Sequence, residues 1–252
     1  MTPAYAALVG ASGLLGGAVN AVAGGGTLLT FPALLATGMS PVTANITSSV
    51  GLISGYAGGS VAYRRELAGQ GPRARALVAV SVVGGIVGAL LLLFTPATTF
   101  RAVVPYLVLL SCALLAVQPV LARILVTRRR GGSADITWAV RLGVGLGAVY
   151  GSYFGAGLGV LLLAVLGILV ADDLQRLNAL KGVLSLVVNV VGVLVFVASG
   201  HVAWGYAGIL AVSAYVGATL GVSVARRLPS SVMRAAIVTL GAVVGVVLLV
   251  TG

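Results

Sequence analysis

The chain has 252 residues, of which 60% are hydrophobic and only 8% charged, against roughly 25% charged in an ordinary soluble domain. Its 15 basic and 4 acidic residues give a net charge of +11. The basic residues cluster between apolar runs without interleaved aromatics, which argues against nucleic acid as partner and for topology signals facing an anionic membrane surface.

Eight apolar segments succeed one another at about 4–37, 41–63, 76–94, 101–126, 137–170, 174–199, 202–225 and 231–251. Uncharged runs such as 76–94 and 183–199 approach the length an α-helix needs to cross roughly 30 Å of hydrocarbon. Continuous runs, rather than alternation, exclude a β-barrel. The expected fold is therefore an all-α polytopic membrane protein, multi-pass in the inner membrane of the cell, with the lipid bilayer as its solvent. The first segment lacks a positive leader and continues past Ala21-Val22-Ala23, so it is read as mature protein and not as a signal peptide.

Segments one and five are too long for one span, and glycines interrupt both: Gly24-Gly25-Gly26, with Pro32 following, in the first, and Gly155-Ala156-Gly157 in the fifth. Glycine clusters weaken a helix, so each of these segments is expected to be a broken helix or a hairpin. The halves also repeat. A shift of 133 residues carries Asn45 onto Asn178, Gly59 onto Gly192, Gly84 onto Gly217 and Gly88 onto Gly221, and Pro96-x4-Arg101-Ala102 onto Pro229-x4-Arg234-Ala235. A shift of 131 superposes the two glycine clusters. The organisation expected is an N-terminal membrane repeat (1–126), a basic cytoplasmic connector (127–136) and a C-terminal membrane repeat (137–252), each repeat with four apolar segments. Internal repeats of this kind mark secondary transporters, whose substrate sites form between the halves.

Arg64, Arg65, Arg73 and Arg75 mark one loop as cytoplasmic, and Arg123, Arg128, Arg129 and Arg130 mark the connector. With eight single crossings, Arg176, Lys181, Arg226, Arg227 and Arg234 would lie outside. Hairpins at segments one and five return them all to the cytoplasmic side and leave three crossings per half, which makes the repeats inverted. The unequal arms 4–23 and 27–37 leave a single broken span open for the first segment.

Polar residues follow each break: Thr43, Asn45, Thr47 and Ser48 after the first, Asn178, Lys181, Ser185 and Asn189 after the second. The latter four recur at helical spacing and put a polar stripe on an apolar helix. A helix starting after a break aims amide N–H groups at whatever lies before it, so Gly24, Gly25, Gly26, Gly155, Ala156 and Gly157 could cradle an anion. The alternative is close helix packing through small residues. Lys181, the only lysine, either faces a ligand or snorkels to the cytoplasmic surface. Asn45 and Asn178 either bind substrate or join helices; Asn20, Tyr150 and Tyr153 are weaker candidates. Asp172, Asp173 and Arg176 read as a loop with a helix N-cap, and His201 as an interfacial residue. Cys112, the single cysteine, permits no intrachain disulfide. With one histidine and the acids Glu66, Asp135, Asp172 and Asp173, no metal, cofactor or enzyme activity is expected.

At the glycine breaks and at Asp173-Leu174-Gln175-Arg176-Leu177-Asn178-Ala179-Leu180-Lys181 the chain resembles the TauE/SafE sulfite exporter family. Gly24-Gly25-Gly26-x5-Pro32 and Ala44-Asn45-Ile46-Thr47-Ser48 in the first half carry the resemblance. In the second half it rests on Tyr153-Phe154-Gly155-Ala156-Gly157, Gly200-His201-Val202 and Arg226-Arg227-Leu228-Pro229. Ala156 in the second cluster, with no proline after it, departs from the pattern and makes the two cradles unequal. The resemblance implies a secondary transporter exporting a small sulfur-containing anion, sulfite or an organosulfonate. Gly24, Gly25, Gly26, Asn45, Thr47, Ser48, Gly155, Ala156, Gly157, Asn178 and Lys181 would then contribute to binding. A facilitative anion pore, an importer of a related anion such as thiosulfate, a membrane enzyme and a non-transporting scaffold are the other classes weighed; a homodimer is compatible with any of them. No Walker-type loop is present, so transport driven by ATP in this chain is not expected.

Overall fold

The computed structural model describes residues 2–22, 25–62, 67–127, 136–225 and 230–251. Ten helices follow one another among them: α1 (Pro3–Val22), α2 (Thr27–Leu35), α3 (Pro41–Ala62), α4 (Gly71–Phe94), α5 (Ala97–Thr127), α6 (Trp138–Tyr153), α7 (Leu158–Leu169), α8 (Leu174–Ala198), α9 (Trp204–Ala225) and α10 (Ser230–Thr251). Gly24, Arg64, Arg65, Glu66, Arg128, Arg129, Arg130, Asp135, Arg226, Arg227, Leu228 and Pro229 lie outside the described residues. Among the described residues three helices, Gly71–Phe94, Ala97–Ile124 and Leu174–Ala198, are long and apolar enough to cross a membrane. Large apolar side chains such as Leu146, Leu194 and Val212 are exposed, as residues facing lipid are.

Segments one and five each divide into two helices, and in both the second arm folds back along the first. At about 1.5 Å per residue, the 9 residues of α2 and the 12 of α7 extend about 14 and 18 Å, well short of the ~30 Å hydrocarbon core. Gly143 faces Val165, Gly147 faces Leu161 and Leu162, and Gly151 faces Leu158. One number rises as the other falls, so α6 and α7 form an antiparallel hairpin. Gly16 packs on Thr30 and Gly26, and Asn20 on Gly25 and Gly26, so α2 likewise turns back along α1.

Side-chain bonds fix which ends lie together. Arg73, in the first turn of α4, and Arg176, in the first turn of α8, both pair with Asp172. Gln70 Nε2 donates to the carbonyl of Arg176 at 3.0 Å, and Arg176 donates to the carbonyl of Ala68 at 3.2 Å. The turns before α4 and α8 are therefore on one side. A single crossing by segment five would have separated them, so the hairpin arrangement holds there.

Packing pairs recur at the sequence shifts. A Cβ at Gly84 would stand 2.6 Å from the carbonyl oxygen of Gly145, and one at Gly217 would collide with the carbonyl of Leu14. These are the same pair under the two shifts, since 84 + 133 = 217 and 14 + 131 = 145. α6 thus packs on α4 and α1 on α9, where glycine lets the backbones touch. Helices α5 and α10, equivalent under the shift of 133, meet with Gly241 on Cys112 and Gly245 on Val108 and Leu109, so they run antiparallel.

Candidate functional site

The two breaks are brought together inside the helix assembly. Phe31 of α2 and Phe154 of the second break meet edge to face, with ring centroids 5.6 Å apart. Both breaks abut one stretch of α5: Gly25 lies against Leu115, and Gly157 against Leu114 and Ser111. Asn45 of α3 reaches across the halves and donates from Nδ2 to the Tyr153 carbonyl at 2.9 Å.

Polar groups of the first half are mostly engaged with protein. The amides of Gly25 and Gly26, expected to face an anion, both donate to Asn20 Oδ1, at 3.0 and 2.9 Å. Ser48 shares a hydrogen bond with Thr30 at 2.6 Å, and Thr47 accepts from the Ala203 amide at 3.1 Å. All of the Asn45 side chain is buried, and its Oδ1 has no partner among the described residues. In this conformation these groups hold α2, α3 and α9 together, the helix-joining role open in the sequence.

The second break is built differently. Gly155 and Gly157 have φ of 83° and 78°, a left-handed conformation that side chains beyond glycine adopt only at a cost. Between them the Ala156 carbonyl accepts from Tyr150 Oη at 2.7 Å, and Ser111 Oγ lies 3.0 Å from that carbonyl oxygen and 2.8 Å from the Tyr150 hydroxyl. The carbonyl oxygens of Gly155 and Gly157 accept from Leu158, Val160 and Leu161; none of these turn bonds takes up the Gly159 amide. The N-terminus of α7, with its partial positive charge, is left beside that amide.

Lys181 lies over this spot. Its Cδ and Cε stand 3.8 Å, and its Nζ 3.9 Å, from where a Cβ on Gly159 would be. Counting inward from the adjoining ends of antiparallel α7 and α8, Gly159 is ten residues from Leu169, level with residue 184. The Lys181 backbone is only seven residues from Leu174, so the side chain leans inward, away from the near surface. At about 1.5 Å per residue its ammonium lies ~15 Å along α8 from the helix start. Snorkelling would carry it the other way. Among the described residues neither the Lys181 ammonium nor the Asn178 amide three residues earlier has a hydrogen-bond or ion-pair partner.

The Lys181 ammonium and the start of α7 thus lie side by side, two positive features of the kind that attract anions. The remaining charged residues of the region serve the fold. Asp173 is the N-cap of α8, accepting from the Gln175 amide at 2.8 Å. Burial alone would raise the Asp172 carboxyl, but the Asp173 amide and the Arg73 and Arg176 guanidiniums outweigh it and hold its pKa below the usual value. His201 is exposed ahead of α9.

With both breaks and the lysine in place, comparison with known proteins is decisive: residues 9–248 match the family described as Sulfite exporter TauE/SafE. The chain belongs to this family. Relatives of the TauE/SafE chain include the probable membrane transporter protein YfcA of Escherichia coli K12, 28% identical over 236 residues that cover 94% of this chain and 86% of the relative. A probable membrane transporter protein of Haemophilus influenzae is 24% identical, covering 90% and 87%. Another from Sinorhizobium sp, ORF9, is 23% identical, covering 82% and 78%. No solved structure matches.

Several residues that shape the TauE/SafE breaks carried little signal in the sequence. Asn20, Tyr150 and Tyr153 stood out only by preceding the glycines, and Ser111 and Thr30 not at all. Ser111 and Thr30 act across a helix–helix contact, and nothing in local spacing announces one.

Proposed function

We propose that this protein is a membrane transporter that exports a small sulfur-containing anion, sulfite or an organosulfonate, through a site between two inverted repeats. The observation that carries the reading is the Lys181 ammonium, well inside α8 against the start of α7 and unpaired among the described residues. A charge there costs roughly 2.5–3.5 kcal/mol on insertion scales, a cost an anionic ligand offsets. Asn178, on the same face and nearer the cytoplasmic end, suits an anion entering from that side, and Gly155 and Gly157 let the chain turn so that α7 starts at the site. Gly25 and Gly26 form the opposing break, with Asn45 bridging the two.

Antiparallel contact between the equivalent helices α5 and α10 supports inversion: helices related by a two-fold axis run antiparallel only when that axis lies across them, which for membrane-spanning helices means in the membrane plane. The family's name and the relatives' names support transport and the sulfur-anion class.

The test is flux of labelled sulfite into liposomes holding the purified protein, with and without a pH gradient. Lys181→Met keeps the stem's bulk and should abolish flux while the protein still inserts and elutes as a folded species. Lys181→Arg should retain part of it with altered affinity, because charge survives and geometry does not. Flux through Lys181→Met equal to the parent's would refute the reading.

A further inference from the structure

The polar stripes that follow the two breaks are used unequally. On α3 the amide of Asn45 and the hydroxyls of Thr47 and Ser48 are bonded to protein. On α8, one turn beyond Lys181, the Ser185 side chain is only 5% exposed and its Oγ has no hydrogen-bond partner among the described residues. A helix serine ordinarily returns its hydroxyl to the carbonyl one turn back, and Ser111 and Ser213 do so here. The Ser185 hydroxyl makes no such bond to the carbonyl of Lys181, one turn back. A buried hydroxyl left unmade costs its full desolvation, so an orphan one turn from an orphan cation invites a common explanation.

The levels coincide. Gly159, against which the Lys181 ammonium rests, is level with residue 184 on α8, one residue from Ser185. Residues 181 and 185 are i,i+4 neighbours on one helix face, about 6 Å apart, so a small ion seated by the ammonium has the Ser185 hydroxyl within reach of a second atom.

Building on the proposed anion site, we infer that Ser185 is its second binding residue and that it makes the site select an oxyanion over a halide. One oxygen of the anion faces Lys181 Nζ and another accepts from Ser185 Oγ. A halide offers a single centre and can use only the ammonium and the helix start. A hydroxyl also suits a ligand that must leave again, since it orients an oxygen without adding a second charge.

Purified full-length protein in detergent is titrated with sulfite, and chloride is titrated as competitor. Ser185→Ala should weaken sulfite binding about tenfold or more, the loss expected for one hydrogen bond to a charged group, and leave the chloride competition constant nearly unchanged. Ser185→Thr, which restores the hydroxyl, should recover sulfite binding. Equal losses for sulfite and chloride in Ser185→Ala would mean a packing role and would overturn the inference. So would parental sulfite affinity in Ser185→Ala while Lys181→Met abolishes binding, and the anion site would then stand without Ser185. No change in either variant, or no sulfite binding by the parent, would overturn the anion-site reading as well.

Discussion

Replacing Asp172 by Asn tests whether the ion cluster at the feet of α4 and α8 holds the two halves together. The carboxylate joins Arg73 of the first half to Arg176 of the second, the latter at 3.0 Å. Its side chain is 15% exposed; that of Arg73 is 24% and that of Arg176 36% exposed. A hydrogen bond to a charged group contributes roughly 1.5–3 kcal/mol. The Arg176 arm, open to solvent, is discounted towards the ~0.2–1 kcal/mol of surface pairs. Asn keeps the shape and one acceptor oxygen, so the net loss should be about 2 kcal/mol, a fall in Tm of roughly 4–8 °C for a chain this size. The assay is thermal unfolding of the purified protein in detergent from neutral pH to pH 3. The sign of the pH effect follows from the depressed carboxyl pKa: the stabilisation is present above the unfolded-state value and disappears as pH falls through the folded one. The parent should lose its advantage over Asp172→Asn at the acid end of the range, where the curves converge. Equal Tm values at pH 7, or a gap that persists undiminished after the carboxyl has protonated, would refute the reasoning.

Substitution of the paired contact glycines should act symmetrically. Gly84→Leu and Gly217→Leu each force a side chain into the backbone of a neighbouring helix, so each should lower thermal stability by at least the ~1–3 kcal/mol of overpacking; a neutral result at either would break the equivalence of the two contacts. Orientation is checked by labelling intact cells with an impermeant thiol reagent in a Cys112→Ser background. A cysteine at His201 should label from outside and one at Gln175 should not, both positions being exposed and at opposite ends of α8; the reverse pattern would invert the assignment.

The sequence alone determined the membrane class, because the apolar runs are a property of composition that no packing can change. It also determined where segments one and five break, since Gly155 and Gly157 occupy left-handed conformations that side-chain-bearing residues avoid. The polar stripe on α8 was legible from helical spacing for the same local reason. Asp173 as N-cap was readable too, because a cap acts within two residues of itself.

Only the tertiary structure decided what those features do. Asn45 and Lys181 looked equally eligible for a ligand, yet Asn45 is bonded to the Tyr153 carbonyl 108 residues away, while Lys181 rests on Gly159 without a partner among the described residues. The glycine clusters differed in sequence only by Ala156 and the missing proline, yet Asn20 takes up two amides of the first, and Tyr150 fastens the second through the Ala156 carbonyl. Whether segment five crossed or returned depended on Asp172 bridging Arg73 and Arg176. For Asn45 and Asp172 the deciding contact joins residues about a hundred apart in the chain. A sequence specifies which polar groups must find partners inside a membrane, and the packing of the helices determines which groups find them in the protein and which are left for a ligand.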